Sequence, residues 1–320
     1  MYYALVYTII KVSTHIDRVT KIIFERRTSM TEILILSSKN YPDSDSINYG
    51  DCILIKTDSD LIIYDCGHEK HAEEVLSYMD RNNITSAKII LSHNDSDHFD
   101  GIQKLLESGR ISVIKTTLLL KYKDEILERI DDGRKTRESV SQKILELYDN
   151  IAQLSGYPLE DIYEKPEDIC QGVSIIGPDF EYMLDTVAKR LDGREGDNKD
   201  GETAVNATSI QVSVKIGIHK VLLCGDCSFT SIEDKVRNYE CIQLPHHGKP
   251  KQAELIWEKK WNQTTNFYFI SDNTGNSNGG SDNLDTTGHR VYNTKENDNI
   301  KITSDLFSNA SLTTGRTLGY

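Results

Sequence analysis

A short stretch rich in histidine and aspartate constrains this chain more than any other feature. It follows an apolar strand, opens a helix and reads Ser92-His93-Asn94-Asp95-Ser96-Asp97-His98-Phe99-Asp100-Gly101. Imidazole nitrogens and carboxylate oxygens bind divalent metals at about 2.0–2.2 Å. Because such side chains would repel one another on one tight loop, the pattern predicts a pair of divalent cations. A solvated Asp/Ser turn with incidental histidines is the alternative.

Three further loops carry histidine or aspartate directly after an apolar strand. They are Asp65-Cys66-Gly67-His68, Gly225-Asp226-Cys227 and Pro245-His246-His247-Gly248. In layered α/β folds, ligands collect at the carboxyl ends of the strands. The four loops therefore predict one shared site.

Short apolar runs separated by Gly, Asp, Ser and Asn alternate with helical stretches along the chain. This alternation is typical of an α/β layered fold, and 320 residues fit one decorated domain better than several equal ones. Strands are predicted at 33–36, 52–56, 61–64, 88–91, 173–176, 209–216, 220–224, 241–244 and 267–270, and helices at 72–81 and 99–108.

Residues 115–200 depart from this pattern and predict a helical insertion. Val140, Ile144, Leu147, Ile151 and Leu154 are spaced by 4, 3, 4 and 3 residues, as on one face of an amphipathic helix. We expect this apolar stripe to pack against the main domain. A surface for a protein partner or a second copy of the chain is the alternative.

Composition narrows the functional classes further. No apolar run reaches the roughly 18 residues of a membrane span, and no signal peptide is evident, so we expect a cytoplasmic protein without a membrane partner. The six cysteines do not make a disulfide scaffold. A formal charge of −13 argues against broad DNA coating, which needs a basic face, but not against a nuclease that recruits cations.

The order of these motifs resembles that of the metallo-β-lactamase superfamily. The Gly50-Asp51-Cys52 entry, the aspartate at the second histidine position and the His-His-Gly end are similar to the hydrolase domain of ComEC-type DNA-uptake proteins and its stand-alone relatives. The resemblance implies a four-layer αββα sandwich with a dinuclear metal site between two sheets. It covers residues 30–320, whereas the insertion and an N-terminal extension at 1–29 have no counterpart.

The resemblance also implies roles for particular residues. The implied metal ligands are His93, Asp95, Asp97, His98, the bridging Asp226 and His247. Asp65 is expected to orient the ligand loop from behind. We favour His247 over His246 as the ligand, with His246 facing the substrate, although the reverse assignment stays open.

Two other side chains are candidates for catalysis. Asp97 is expected to accept a proton during the reaction. His289 resembles a late histidine of ComEC-like hydrolases and is assigned to catalysis or phosphate binding, with an ordinary surface histidine as the alternative.

Two departures from the superfamily pattern shape the functional expectation. Asp95 replaces a histidine, and Asn206-Ala207-Thr208-Ser209 stands where a third histidine normally precedes the bridging aspartate. This oxygen-rich set makes Mn²⁺ credible beside Zn²⁺ and disfavours an antibiotic-hydrolysing lactamase. We expect two divalent ions, Zn or Mn, and a phosphodiesterase or nuclease in which hydroxide from a water between the cations attacks phosphorus.

Two rival functions remain at this stage. One is an ester, thioester or lactam hydrolase of the same fold, because the same hydroxide would serve it. The other is a non-catalytic partner-binding module with a vestigial metal site. The net charge of −13 favours a small phosphodiester or nucleotide over DNA among phosphodiester substrates.

Overall fold

The computed structural model describes residues 31–164, 169–193, 199–263, 266–275 and 280–312. The predicted N-terminal extension at 1–29 lies outside these residues. Two β-sheets run through the described part of the chain, and their strands fall close to the apolar runs of the sequence.

The first sheet contains both the opening strands and the loop that carries the main motif. Its strands are β1 Glu32–Ile35, β2 Ile53–Lys56, β3 Leu61–Tyr64, β4 Ala87–Ile90, β5 Ile111–Thr116, β6 Leu159–Asp161 and β13 Ile300–Ile302. They lie in the order β13-β1-β2-β3-β4-β5-β6. Pairing is antiparallel from β13 to β3 and parallel from β3 to β6.

The second sheet is built mainly from the C-terminal half. Its strands are β7 Val173–Gly177, β8 Gln211–Ile216, β9 His219–Leu223, β10 Cys241–Gln243, β11 Phe267–Ile270 and β12 Val291–Asn293. They lie in the order β12-β11-β10-β9-β8-β7. The strands β9 to β12 are mutually parallel, so their carboxyl ends share one edge of the sheet.

Helices lie mainly on the outer faces of both sheets, although the last helix contributes Phe307 to the core between the sheets. They are α1 Glu69–Arg81, α2 Ser96–Phe99, α3 Ile102–Glu107, α4 Lys123–Leu127, α5 Arg137–Leu147, α6 Asp149–Gln153, α7 Phe180–Leu191, α8 Ala204–Ala207, α9 Pro250–Lys259 and α10 Ser304–Leu312. Within the described residues, none of these helices has the length and apolar character needed to cross a bilayer.

Both faces of the inner strands are apolar because both are covered. In β3, Ile62 and Tyr64 belong to the core between the two sheets, while Leu61 and Ile63 pack in a second core with α1, α3 and the insertion. A third core joins the far face of the second sheet to α9. The layers therefore run helix, sheet, sheet, helix, which confirms the predicted αββα sandwich.

The insertion at 115–200 is only partly helical. Helices α4 to α7 lie within it, but β6 extends the edge of the first sheet and β7 the edge of the second. The apolar stripe is buried as predicted, with Val140 and Ile144 in the outer core of the first sheet. The insertion is thus continuous with the domain.

The stripe does not lie on one unbroken helix. The chain leaves helical geometry at Tyr148, whose φ is −128°, and α5 gives way to α6. A backbone carbonyl and a backbone N–H on either side of this break form hydrogen bonds with the side chain of Asn94 in the main motif. Asn94 Nδ2 donates to Leu147 O at 3.2 Å, and Asn94 Oδ1 accepts from Ile151 N at 2.9 Å.

Candidate metal centre

The loops that carry the predicted site residues meet at one edge of the sandwich. Asp65 follows β3, the motif that begins at Ser92 follows β4, Asp226 follows β9, and the His246–His247 pair follows β10. Because these strands run parallel within each sheet, their carboxyl ends deliver the loops to a common place.

Asp226 lies at the centre of this site and is 2% exposed. Its Oδ1 is 3.2 Å from His98 Nε2. Its Oδ2 is 4.0 Å from His93 Nε2, 3.8 Å from His246 Nε2 and 3.8 Å from His247 Nε2. Four imidazoles therefore direct the same ring nitrogen at one carboxylate.

The opposite nitrogen of each imidazole, Nδ1, is held from behind. His98 Nδ1 donates to Asp65 Oδ2 at 2.9 Å. Ser92 Oγ donates its single hydrogen to the same Asp65 oxygen at 2.7 Å. His93 Nδ1, 2.9 Å from Ser92 Oγ, must therefore be the donor in that bond.

The other two imidazoles have carboxylate partners that the sequence analysis did not assign. His247 Nδ1 lies 3.1 Å from Asp51 Oδ1 and 2.9 Å from Ser271 O. His246 Nδ1 lies 2.6 Å from Glu202 Oε2. A carboxylate behind Nδ1 fixes the ring and leaves Nε2 free to bind a metal.

The two remaining motif aspartates lie on the side of the site nearer to solvent. Asp97 Oδ2 is 3.1 Å from His247 Nε2 and accepts from Asn48 Nδ2 at 3.1 Å. Asp95 Oδ2 is 3.7 Å from His93 Nε2, and the Asp95 side chain is 44% exposed. The site therefore opens to solvent beside Asp95.

The electrostatics of the site favour positive charge beside Asp226, supplied by a proton on an imidazole or by a metal cation. Burial alone lowers the pKa of His98, but the charges of Asp226 and Asp65 outweigh it and hold the pKa well above its usual range. Burial likewise lowers the pKa of His247, and Asp226 and Asp51 raise it well above that range. Conversely, burial raises the pKa of Asp226, but the neighbouring histidines hold it well below the usual range.

Two glycines allow the motif loop to pack closely against its neighbours. A Cβ at Gly50 or Gly67 would overlap the backbone carbonyl of Asp97. The same contact is fixed by Asp51 N, which donates to Asp97 O at 2.8 Å, and by Cys66 N, which donates to His98 O at 2.9 Å. The absence of side chains at 50 and 67 thus positions Asp97 and His98.

The His-His-Gly turn has an unusual backbone. His246 and His247 both have a φ of 52°, in the left-handed region that non-glycine residues rarely adopt. Such conformations cost about 1–3 kcal/mol each and cluster at functional sites. Here the turn lets two consecutive imidazoles both approach Asp226.

The side chains present fit divalent cations. His93 Nε2, His98 Nε2 and Asp226 Oδ1 are buried, and none has a hydrogen-bond partner among the described residues. Because Nδ1 of each ring is held by another partner, Nε2 faces the carboxylate favourably only with a proton or a metal cation between them. Ligand atoms of Asp51, His98, Asp226 and His247 also lie within 4.8 Å of one another. We place Asp51 behind the site, because its oxygens are engaged by His247 Nδ1 and Gln243 Nε2.

The structure does not bring His289 to the other predicted residues. It is exposed and precedes β12, at the end of the parallel strands opposite to the site. Its ring stacks on Trp257 at 3.9 Å between centroids. The predicted catalytic or phosphate-binding role of His289 therefore gains no support from its position.

Residues 206–209, where the superfamily pattern has a third histidine, contact the backbone of Asp226. Asn206 O accepts from Ser209 Oγ at 2.7 Å, and Ser209 Oγ accepts from Asp226 N at 3.3 Å. This segment thus positions Asp226. Glu202, four residues before Asn206, could have been noted as an acid close to the vacant histidine position, but nothing in its local sequence paired it with His246.

The fold and the site together define a class of protein: an α/β sandwich with a candidate metal centre at the carboxyl ends of its strands. The sequence model of the metallo-beta-lactamase superfamily matches residues 47–270. The chain therefore belongs to the metallo-β-lactamase superfamily.

Several solved structures are similar to this chain at low sequence identity. The metallo-beta-lactamase fold protein YhfI from Bacillus subtilis is 13% identical with a TM-score of 0.48, and the match covers 86% of this chain and 100% of that one. A diphosphatase from the PhnP family is 12% identical with a TM-score of 0.43, over 85% of this chain and 97% of that one. AidC, a dizinc quorum-quenching lactonase, is 14% identical with a TM-score of 0.34, over 69% and 71%. No curated protein matches the chain.

Proposed function

We propose that this protein is a metal-dependent hydrolase that acts on phosphodiesters. The observation that carries the proposal is the convergence of four imidazole Nε2 atoms on Asp226, each within 4.0 Å of one of its oxygens. Each of the four rings is also held at Nδ1, so the cluster is preorganised for a cation. A vestigial site would have no need of this supporting shell.

The proposed ligands are His93, Asp95, Asp97, His98, Asp226 and His247, with Asp65 behind His98. Two divalent cations bound there would make a water acidic enough to attack at neutral pH and would neutralise charge that develops on the substrate. We assign Asp97 to metal binding. Burial raises its pKa, but the bond to His247 and the charge of His98 lower it far below the usual range, so Asp97 is a weak proton acceptor.

A phosphodiester fits this site better than a neutral ester does. Paired cations stabilise both the attacking and the leaving oxygen of an in-line displacement at phosphorus. The ligand set includes three carboxylates, Asp95, Asp97 and Asp226, and so suits Mn²⁺ as well as Zn²⁺. The charge of −13 favours a small phosphodiester or nucleotide over a long nucleic acid. The finer likeness to ComEC-type hydrolases remains part of this proposal.

A substrate panel tests the proposal. It contains bis-p-nitrophenyl phosphate, cyclic nucleotides, single- and double-stranded DNA, RNA, a thioester and a chromogenic β-lactam, each with Mn²⁺ and with Zn²⁺. We expect hydrolysis of the phosphodiesters. Asp226→Asn should abolish it by removing the central charge, whereas Asp305→Asn, on the exposed surface of α10, should leave it unchanged.

Each of the other outcomes of the substrate panel would favour one of the two rival functions. Turnover of the thioester or the lactam alone would replace the phosphodiesterase with an ester, thioester or lactam hydrolase. No turnover, together with less than one equivalent of metal after reloading, would favour a partner-binding module with a vestigial site.

A further inference from the structure

His246 and His247 are adjacent in sequence, yet they stand in equivalent relations to Asp226. The Nε2 atoms of both rings lie 3.8 Å from Asp226 Oδ2. Nδ1 of each ring meets a buried carboxylate, Glu202 for His246 and Asp51 for His247. A carboxylate at Nδ1 orients catalytic histidines as well as metal ligands, so the shared approach of both Nε2 atoms to Asp226 is what favours metal binding by His246.

Glu202 is built into the fold to an unusual degree for a carboxylate. It is 1% exposed, although acidic side chains are rarely buried without partners. Its Oε2 is 2.6 Å from His246 Nδ1. Its Oε1 accepts from Gln252 Nε2 at 2.7 Å and is 2.9 Å from Lys249 Nζ. With both oxygens engaged, the carboxylate holds the His246 ring in one orientation.

The site also has a ligand position to fill. The segment at 206–209, where the superfamily pattern has a histidine, offers none, and its polar groups bond to one another and to the Asp226 backbone. His93 Nε2 lies 3.7 Å from Asp95 Oδ2 and 4.0 Å from Asp226 Oδ2. His246, which is 29% exposed, approaches the same Asp226 oxygen, Oδ2, as His93 does.

We infer that His246 is a metal ligand that takes the place of the absent third histidine, and that Glu202 is its positioning residue. In this arrangement His93, Asp95 and His246 hold one cation, while Asp97, His98 and His247 hold the other, and Asp226 serves both. The inference rests on the metal centre of the proposed function and revises the expectation that His246 faces the substrate.

Metal binding without substrate tests the inference. We would measure zinc content by elemental analysis and Zn²⁺ affinity by calorimetry for the wild type, His246→Asn, Glu202→Gln and the control His289→Asn. Asparagine is chosen because it tolerates the left-handed backbone at position 246. Substitution of His246 should remove one of two equivalents or weaken that site at least 100-fold. Glu202→Gln should weaken the same site about 10- to 100-fold and leave the other unchanged.

Retention of two zinc ions with wild-type affinity in His246→Asn would overturn the inference. If that variant does not fold, as judged by circular dichroism, unchanged affinity in Glu202→Gln would overturn it instead. If His246→Asn folds, a spectroscopic readout adds to the affinity measurements. Co²⁺-loaded wild type should show one more exchangeable, paramagnetically shifted imidazole N–H signal than Co²⁺-loaded His246→Asn.

This result is separable from the substrate question. Two ions in the wild type and one in His246→Asn, with no turnover in the substrate panel, would support the inference and refute the phosphodiesterase. Phosphodiester turnover by the wild type, with two ions bound by the wild type and by His246→Asn alike, would support the phosphodiesterase and refute the inference.

Discussion

At the scale of single residues, the motif residues at the centre of the site and Asp65 behind them could be predicted from sequence, but the carboxylates behind His246 and His247 could not. His93, His98 and Asp226 belong to dense local motifs that directly follow strands. Asp51 and Glu202 are isolated acids whose histidine partners lie 196 and 44 residues away along the chain. Only the folded chain pairs them, because the contacts are set by which strands are neighbours.

A buried histidine outside the candidate metal centre, His71, makes acid stability testable at this scale. Burial lowers its pKa to about 3, and the charge of His68 adds to the effect. The folded-state pKa lies below the unfolded value near 6.5, so unfolding takes up a proton at acid pH. The contribution of His71 to the free energy of unfolding is constant above about pH 6.5. Below that pH it falls as the pH falls, and at pH 5 it is lower by about 2 kcal/mol.

We expect His71→Phe to remove this part of the acid dependence. The measurement is the free energy of unfolding in urea at pH 7 and pH 5, with His219→Phe as the control. His71 packs against the ring of Tyr41 with centroids 5.4 Å apart, so an aromatic replacement keeps the volume. An unchanged difference between the two pH values in His71→Phe would show that His71 is not neutral in the folded protein.

At the scale of secondary structure, the strands could be predicted well and the break between α5 and α6 could not. Apolar runs bounded by Gly, Asp and Asn predict nine of the thirteen described strands within two residues, but not β5, β6, β12 or β13. The stripe from Val140 to Leu154, in contrast, keeps helical spacing through Tyr148. The break depends on Asn94, and a bond from so distant a residue leaves no mark on local periodicity.

Asn94 is therefore expected to stabilise both the insertion and the motif loop. Asn94→Ala removes side-chain bonds to Leu147 O, Asp149 Oδ1 and Ile151 N, and should cost about 2 kcal/mol because the bond to Ile151 N is buried and the other two are partly buried. Urea unfolding measures the loss. The control is Gln142→Ala on the exposed face of α5, where a loss as large as that of Asn94→Ala would argue against a special role for Asn94.

Gly67 offers a second test at the same scale. A Cβ at this position overlaps the Asp97 carbonyl, whereas a Cβ at Gly133 meets nothing within 4 Å. Gly67→Ala should cost about 1–3 kcal/mol through overpacking and weaken metal binding by displacing Asp97. Gly133→Ala should do neither. Equal thermal stability and zinc affinity in the two variants would contradict this account of the loop.

At the scale of the whole molecule, the insertion at 115–200 could be recognised but its integration could not. The sequence favours a helical lobe, whereas the structure gives each sheet an edge strand from this segment and fills the outer core with Ile126, Met183 and Val187. Edge strands as short as β6, with three residues, carry too little pattern to be predicted.

Deletion of residues 115–200 should therefore abolish the fold and not merely change substrate preference. The expected result is loss of the cooperative thermal transition and of zinc binding, because β5 and β8 lose their partners at the sheet edges. Near-ultraviolet circular dichroism and zinc content measure it. A truncated protein that unfolds cooperatively and binds two zinc ions would establish the segment as a separable lobe.

The bond between Asn94 and the start of α6 has a consequence for any attempt to redesign this protein. His93 and Asp95 flank Asn94, so this proposed ligand pair is tied to the helical register of a segment more than fifty positions later. Adding or removing one residue in α5 would rotate Ile151 away from Asn94. A designer who varies the insertion to reach new substrates should thus keep its length constant from Arg137 to Ile151, and vary only side chains.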